Sequence, residues 1–270
     1  MSVPIDPPAP SSPCIGLCRL DGDGLCEGCL RSGAEIGAWS RMDEAQRRHL
    51  MEDVLRHRQL QRQAFLQRLH ERSGLRRVLH PLRQPPREPG WNREELHDLL
   101  LPDHQPAEAA VLVGLVPRDE GTRVLLTLRT DGLRHHGGQV SFPGGRIEAS
   151  DRGVLGAALR ESHEEIALPV GQVAPLGYLD PLLTISGFRI TPVVAAIDPD
   201  FNPRPEPGEV AQVFEVPLDY LMEPSRLRHI DMDYRGRTRT VLEYDWPGQR
   251  IWGATAAILY NLRRRLEEGA

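Results

Sequence analysis

Residues 144–168, GGRIEASDRGVLGAALRESHEEIAL, decide how the chain is read. Two adjacent glycines, Gly144 and Gly145, predict a tight turn. Behind them the spacing predicts a helix over about 153–167. It carries Glu161, Glu164 and Glu165 at i, i+3 and i+4, on one face. Like charges at that spacing repel and weaken an isolated helix. A divalent cation removes the repulsion, and hard carboxylate oxygens are what Mg²⁺ and Mn²⁺ accept. The segment reads as a metal site that handles phosphates.

Working outward, AAVLVGLV (109–116) and RVLLTLR (123–129) read as buried strands joined through PRDEG in a hairpin. A loop over 130–145 leads into the acidic helix. Further strands are expected near 172–179, 187–197, 227–234 and 237–244, and a closing helix at about 254–267. The Pro-rich run IDPDFNPRPEPGE reads as a surface loop. The fold class is α/β with a mixed sheet and no regular βαβ repeat.

Upstream, residues 1–13 are rich in Pro and Ser and are expected to be disordered. Residues 14–72 read as a Cys-rich module with a helix capped by Ser40, and Gly74 as its stop signal. Residues 73–94, which include PLRQPPREPG, read as a linker, with a short helix at about 92–101. A catalytic domain is expected over 95–266. Cys14, Cys18, Cys26 and Cys29 follow C-x3-C-x7-C-x2-C. Four thiolates so close together can cage Zn²⁺ or hold an iron–sulfur cluster, and they suit metal better than a dispersed disulfide framework.

Composition narrows the function classes. The 270 residues can bury one sizeable core and still carry a small module. The net charge of −5 argues against a general nucleic-acid binder. Every basic residue is Arg, so a lysine nucleophile and the usual phosphate-loop lysine are excluded. Residues 41–83 hold eleven Arg against five acids, which reads as a solvated amphipathic face. No apolar run approaches the ~18–20 residues of a membrane span, and the first residues lack a secretory pattern. A cytoplasmic protein with a small-molecule partner, and neither nucleic acid nor membrane, is expected.

Gly145, Arg160, Glu161, Glu164 and Glu165 resemble the Nudix box, a glycine followed by an R-E-x-x-E-E helix. Asp151 stands where the family usually has its first glutamate. Eight residues separate it from Arg160, one more than usual, and Ala167 replaces a glycine near the end of the box. LLTLRTDGLRHHGGQVSFPGG, residues 125–145, is similar to the signature of the coenzyme A diphosphatase branch, which tolerates the extra residue. LDPLLTISGFRITPVV (179–194), EVAQVFEVPLDYL (209–221) and IWGATA (251–256) look like later landmarks of that branch.

The resemblance implies an α/β/α sandwich around a mixed sheet, and hydrolysis of coenzyme A or its derivatives to 3′,5′-ADP and 4′-phosphopantetheine. It implies Mg²⁺ or Mn²⁺ on Glu161, Glu164, Glu165 and the Gly145 carbonyl, with Glu164 or Glu165 doubling as the base. Glu209 is a candidate for a later-loop acid. Arg129 and Arg134 are candidates for substrate phosphate, which a forked guanidinium matches. Two rivals stand beside this reading: a diphosphatase for another nucleotide such as NADH or ADP-ribose, and a non-catalytic nucleotide or redox sensor. Residues 12–60 resemble a small bacterial domain of unknown function, often described as a probable Fe–S protein.

Overall fold

The structure is a computed structural model. It describes residues 12–14, 20, 25–26, 29–62, 67–69, 72–99, 105–133, 136–234 and 236–269. The chain divides into two compact units, residues 1–64 with 169–171, and residues 65–168 with 172–270.

The first unit carries three short helices, α1 (Gly33–Ala38), α2 (Glu44–His49) and α3 (Arg56–Arg62), with a π-helical segment over Leu50–Leu55 between the last two. The helix expected from Ser40 starts instead at the Asp43 cap and runs unbroken through the π-helical segment to Arg62, while α1 is a separate helix capped by Ser32. Ser32 Oγ accepts from Glu35 N, and Asp43 Oδ1 accepts from Gln46 N. The Glu35 and Gln46 side chains reach back to the cap N–H groups. Arg58 then ties the helices to the Cys segment, bonding Glu35 at 2.7 Å and the Leu30 carbonyl at 2.9 Å.

The second unit opens with α4 (Arg72–Val78), which runs through Gly74 and does not stop there. Its sheet is built from β1 (Ala107–Arg118), β2 (Gly121–Arg129), β3 (Val140–Ser141), β4 (Gly144–Arg146), β5 (Val173–Tyr178), β6 (Leu182–Leu183), β7 (Phe188–Ile197) and β8 (Val210–Pro217). Between β4 and β5 lies α5 (Gly153–Ile166), the acidic helix. After β8 come α6 (Leu218–Met222), a three-stranded sheet of β9 (Leu227–Tyr234), β10 (Arg237–Trp246) and β11 (Gln249–Trp252), and α7 (Gly253–Glu268).

The main sheet runs β3-β2-β1-β7-β5 and is mixed. β1 and β7 are parallel, while β1 pairs with β2 and β4 antiparallel. Alternation along the strands builds two layers. Val113, Leu115, Val124, Leu126, Val194 and Ala196 join Ala256, Ile258, Leu259 and Leu262 of α7 in one core. The intervening Leu112, Leu125, Val193 and Ala195 are buried on the opposite face, where α5 packs with Ala157, Ala158 and Ile166. The result is an α/β/α sandwich.

The segment read as a linker is bound to this second unit. His80 and Tyr178 exchange both backbone hydrogen bonds at 2.9 Å. Asn92 mimics a strand neighbour, bonding the Leu183 N–H and C=O through its side chain. Residues 91–99 form successive turns with i→i+3 bonds and not the expected short helix. Asp180 pins this region to α7. It accepts from Arg265 at 2.7 Å and Asn261 at 3.0 Å, and lies 2.8 Å from His80 Nε2. Burial pushes its carboxyl up, but those three partners outweigh burial and hold it at about 2. Its stabilisation is therefore complete above the ordinary carboxyl range and is lost as pH falls through about 2. Among the described residues no helix is long and apolar enough to cross a membrane.

Candidate active site

The site forms where the end of β2, the strand β4 and the polar face of α5 meet. Gly144 and Gly145 belong to β4, paired with Val111 and Ala110 of β1. A side chain at Gly144 would put its Cβ 2.3 Å from the Ala110 carbonyl oxygen. The close approach of two backbones, at φ +153°, therefore requires glycine there. At Gly145 a Cβ would fall 2.5 Å from Glu161 Oε1, so the Glu161 carboxylate rests directly on the Gly145 backbone. The Gly144 N–H donates to Glu165 Oε2 at 3.2 Å. The glycine pair, expected as a tight turn, is instead a strand on β1, and it meets two of the three glutamates.

Glu165 is 2 % exposed, and its other neighbour is Arg129, with Nη1 at 3.5 Å from Oε1. Burial raises its carboxyl to about 8. The Arg129 charge and the Gly144 N–H oppose that rise, while Glu161 and Glu209 add to it by repulsion. Glu161 is also raised, first by burial, against the pull of Arg160 and with repulsion from Glu164 and Glu209. Glu164 is the exposed member, at 56 %. Glu209 reaches this group because the Pro-rich loop folds over the end of α5. Glu206 N donates to the Glu165 carbonyl at 2.8 Å, and Thr130 N to the Glu209 carbonyl at 3.0 Å.

Arg160 clamps the loop to the helix. It donates to both Asp151 oxygens at 2.9 and 3.0 Å, to the Arg146 carbonyl at 3.1 Å and to Glu164 at 2.9 Å, and its Nη1 lies 3.0 Å from Glu161 Oε1. Hydrogen bonding from Arg160 is the main reason the Asp151 carboxyl sits below its usual range. The residue that departs from the usual glutamate is thus the counter-charge of the clamp. The sequence signal was an acid and an arginine flanking one loop. Ala167 closes α5 in the left-handed conformation, φ +58°, with its N–H on the His163 carbonyl. The glycine usual there enters that conformation freely, so alanine adds local strain.

Among the described residues, no three His, Cys, Asp or Glu side chains gather into a finished cation cage. Arg160 draws Glu161 and Glu164 to one side, and Arg129 holds Glu165 on the other. The donor set nevertheless fits a hard divalent ion. It consists of oxygens, and two carboxyls are forced toward protonation by a burial and repulsion that a cation would relieve.

Arg134 lies outside the described residues, as does Cys18. Of the other cysteines, Cys26 and Cys29 are buried and Cys14 is half-buried. Burial pushes the Cys29 thiol up. Hydrogen bonds from the Arg31 side chain and backbone and from Cys26, with the Arg31 charge, outweigh this and hold it below the ordinary thiol value.

A glycine strand laid on acidic side chains beside a mixed sheet suits the hydrolysis of pyrophosphate bonds. Residues 108–234 match the family described as the NUDIX domain, and residues 12–59 match one described as a protein of unknown function, DUF1289. The chain belongs to the Nudix hydrolase family. It is 40% identical over 174 residues to an uncharacterized Nudix hydrolase NudL of Pectobacterium atrosepticum, covering 64% of this chain and 90% of that protein. The NudL of Enterobacter sp. strain 638 is 41% identical over 57% of this chain and 80% of its own. A solved Nudix hydrolase of M. smegmatis, RenU, aligns over 43% of this chain and 73% of its own at 26% identity, with a TM-score of 0.37. The substrate of Nudix enzymes is a nucleoside diphosphate derivative, and they generally use divalent metals such as Mg²⁺ or Mn²⁺.

Proposed function

We propose that this chain cleaves the diphosphate bond of coenzyme A or a derivative, giving 3′,5′-ADP and 4′-phosphopantetheine or its acyl form. The observation that carries the reading is the placement of the LLTLR…FPGG segment. It sets Arg129 at the end of β2, beside Glu165 and the Gly144–Gly145 strand. Glu161, Glu164, Glu165 and the Gly145 carbonyl are the assigned ligands for Mg²⁺ or Mn²⁺. What such an ion supplies when bound is neutralised diphosphate oxygens and a more acidic water.

The protein's own groups do the rest. Arg129, whose Nε has no hydrogen-bond partner among the described residues, is turned toward Glu165 and exchanges that carboxylate for a phosphate oxygen. Arg134 is assigned the same role on the coenzyme's further phosphate. Glu164, the most exposed of the three glutamates, accepts the proton of the attacking water. Arg160 and Asp151 keep loop and helix in register and do not touch substrate.

Assay of the purified protein with Mg²⁺ or Mn²⁺ on coenzyme A, NADH and ADP-ribose tests the substrate. Coenzyme A is expected to give the highest kcat/KM. Faster turnover of either alternative would overturn the assignment.

The N-terminal cysteines Cys14, Cys18, Cys26 and Cys29 are assigned a metal of their own, zinc or an iron–sulfur cluster. The lowered Cys29 thiol supports this, because thiolate is the ligating form. Metal analysis and visible absorbance of anaerobically purified protein distinguish iron from zinc. Protein that contains neither metal counts against the module's assignment.

A further inference from the structure

The turn that carries Glu209 is gripped by Thr130, the residue directly after Arg129. Glu209 N donates to the Glu206 carbonyl at 3.0 Å, and Val210 N to the same oxygen at 2.9 Å. These bonds close a turn with Pro207 and Gly208 at its centre. A carbonyl in the middle of such a turn takes no part in the turn's own bonds and needs a donor from elsewhere. For Pro207 that donor is Thr130 Oγ1, at 3.2 Å. Thr130 N also donates to the Glu209 carbonyl at 3.0 Å. One half-buried side chain and its own N–H therefore hold two of the four turn residues.

The grip comes where the sheet stops providing one. β2 pairs with β8 as far as Arg129, opposite Val210, and the register slips between Leu128 and Arg129. Leu128 lies opposite Gln212, so Ala211 is the extra residue of a bulge, which bends a strand and ends regular pairing. On its other side the segment is tied to the end of α5, with Arg204 N on the Ile166 carbonyl at 3.0 Å and Glu206 N on the Glu165 carbonyl at 2.8 Å. Glu209 is thus slung between the helix that carries the glutamates and the strand end that carries Arg129. Its charge repels both Glu161 and Glu165.

We propose that Thr130 is a positioning residue of the acidic site: its hydroxyl holds the Glu206–Glu209 turn on the end of β2 and so keeps Glu209 beside the glutamates of α5. Thr130 acts through Glu209 and touches neither substrate nor ion. A carboxylate held in place adds its charge to the oxygens that pair a hard cation, and one free to swing away adds less. The effect of the hydroxyl is partial, because the Thr130 N–H bond to Glu209 does not depend on it. The proposal rests on the metal-dependent diphosphatase reading but not on coenzyme A as the substrate.

Three substitutions in the full chain test it. Thr130→Val keeps the shape and removes the hydroxyl, Thr130→Ser keeps the hydroxyl, and Glu209→Gln removes the charge. Each is measured by Mn²⁺ titration followed by EPR without substrate, and by steady-state kinetics on whichever of coenzyme A, NADH and ADP-ribose the protein turns over fastest. Thr130→Val is expected to weaken Mn²⁺ binding and to lower kcat, each by about 3–10-fold, the size of one hydrogen bond. KM should stay within about twofold. Thr130→Ser is expected to match wild type. Glu209→Gln is expected to lose at least as much as Thr130→Val, and adding Thr130→Val to it to change nothing further. Wild-type Mn²⁺ affinity or wild-type kcat in Thr130→Val would overturn the proposal, as would an equal loss in Thr130→Ser, which would mark the position as merely structural. So would a Glu209→Gln protein that behaves as wild type, or losses that multiply in the double variant. A preference for NADH or ADP-ribose overturns the coenzyme A assignment alone and leaves these ratios as the test of Thr130.

Discussion

Replacing Glu164 by Gln is expected to lower kcat by about 10²–10⁴-fold, the range lost with a positioned proton acceptor. KM should change less than kcat, since Glu164 is assigned both as proton acceptor and as one of several ligands of the metal, and the remaining ligands keep the substrate's ion. The fold should survive. Glu164 is 56 % exposed, its contact with Arg160 is one of several, and Arg160 keeps both Asp151 bonds without it. Glutamine preserves the size of the side chain and removes only the charge. Steady-state kinetics with a parallel Tm measurement make the comparison. A variant that turns over within a few-fold of wild type would remove Glu164 from the chemistry. One that melts far below wild type would show the side chain to be structural.

The second large effect concerns pH and metal together. In metal-free protein Glu165 is raised from an ordinary carboxyl near 4.5 to about 8, with burial as the first cause. A carboxyl raised on folding holds its proton more tightly in the native state than in the unfolded one. It therefore costs nothing below about 4.5. As pH rises from there toward 8 the unfolded state gains relative stability, and above 8 the loss is complete. A rise of that size corresponds to on the order of 5 kcal/mol at full ionisation, as an upper bound. A divalent cation removes the penalty by pairing the ionised carboxylate. Metal-free protein is thus expected to lose Tm between pH 5 and 8.5. Mg²⁺ or Mn²⁺ is expected to raise Tm far more at pH 8.5 than at pH 5, and Glu165→Gln to flatten both trends. A metal-induced shift independent of pH would separate Glu165 from the metal site.

Both expectations depend on a distinction among three glutamates that look equivalent along the chain. Helical spacing places Glu161, Glu164 and Glu165 on one face, and it does so whatever surrounds them. Spacing does not reveal that Glu165 is 2 % exposed while Glu164, one residue away, stands in solvent. That difference is made by Gly144 reaching over the helix, by Arg129 at the end of β2, and by the loop that delivers Glu209. These residues come from 129, 144 and 209, and only long-range pairing puts them together.

The N-terminal helices show the same division. Apolar periodicity indicated helix there, but the ends followed capping boxes at Ser32 and Asp43, and Ser40 lies within a 3₁₀ turn. The stretch read as a linker has the Pro-rich composition of one. Its packing depends on partners 91 to 100 residues away, among them Tyr178, Asp180 and Leu183.

Short-range pattern was enough for the acidic helix, most strands and the class of chemistry, because each is written in neighbouring residues; the glycine pair, read as a tight turn, became a strand because β1 pairs with it. Which carboxylate is buried, and that Asp151 is the partner of Arg160, were settled by the folded chain. Burial and charge are properties of surroundings, and here the surroundings are assembled from segments far apart in sequence.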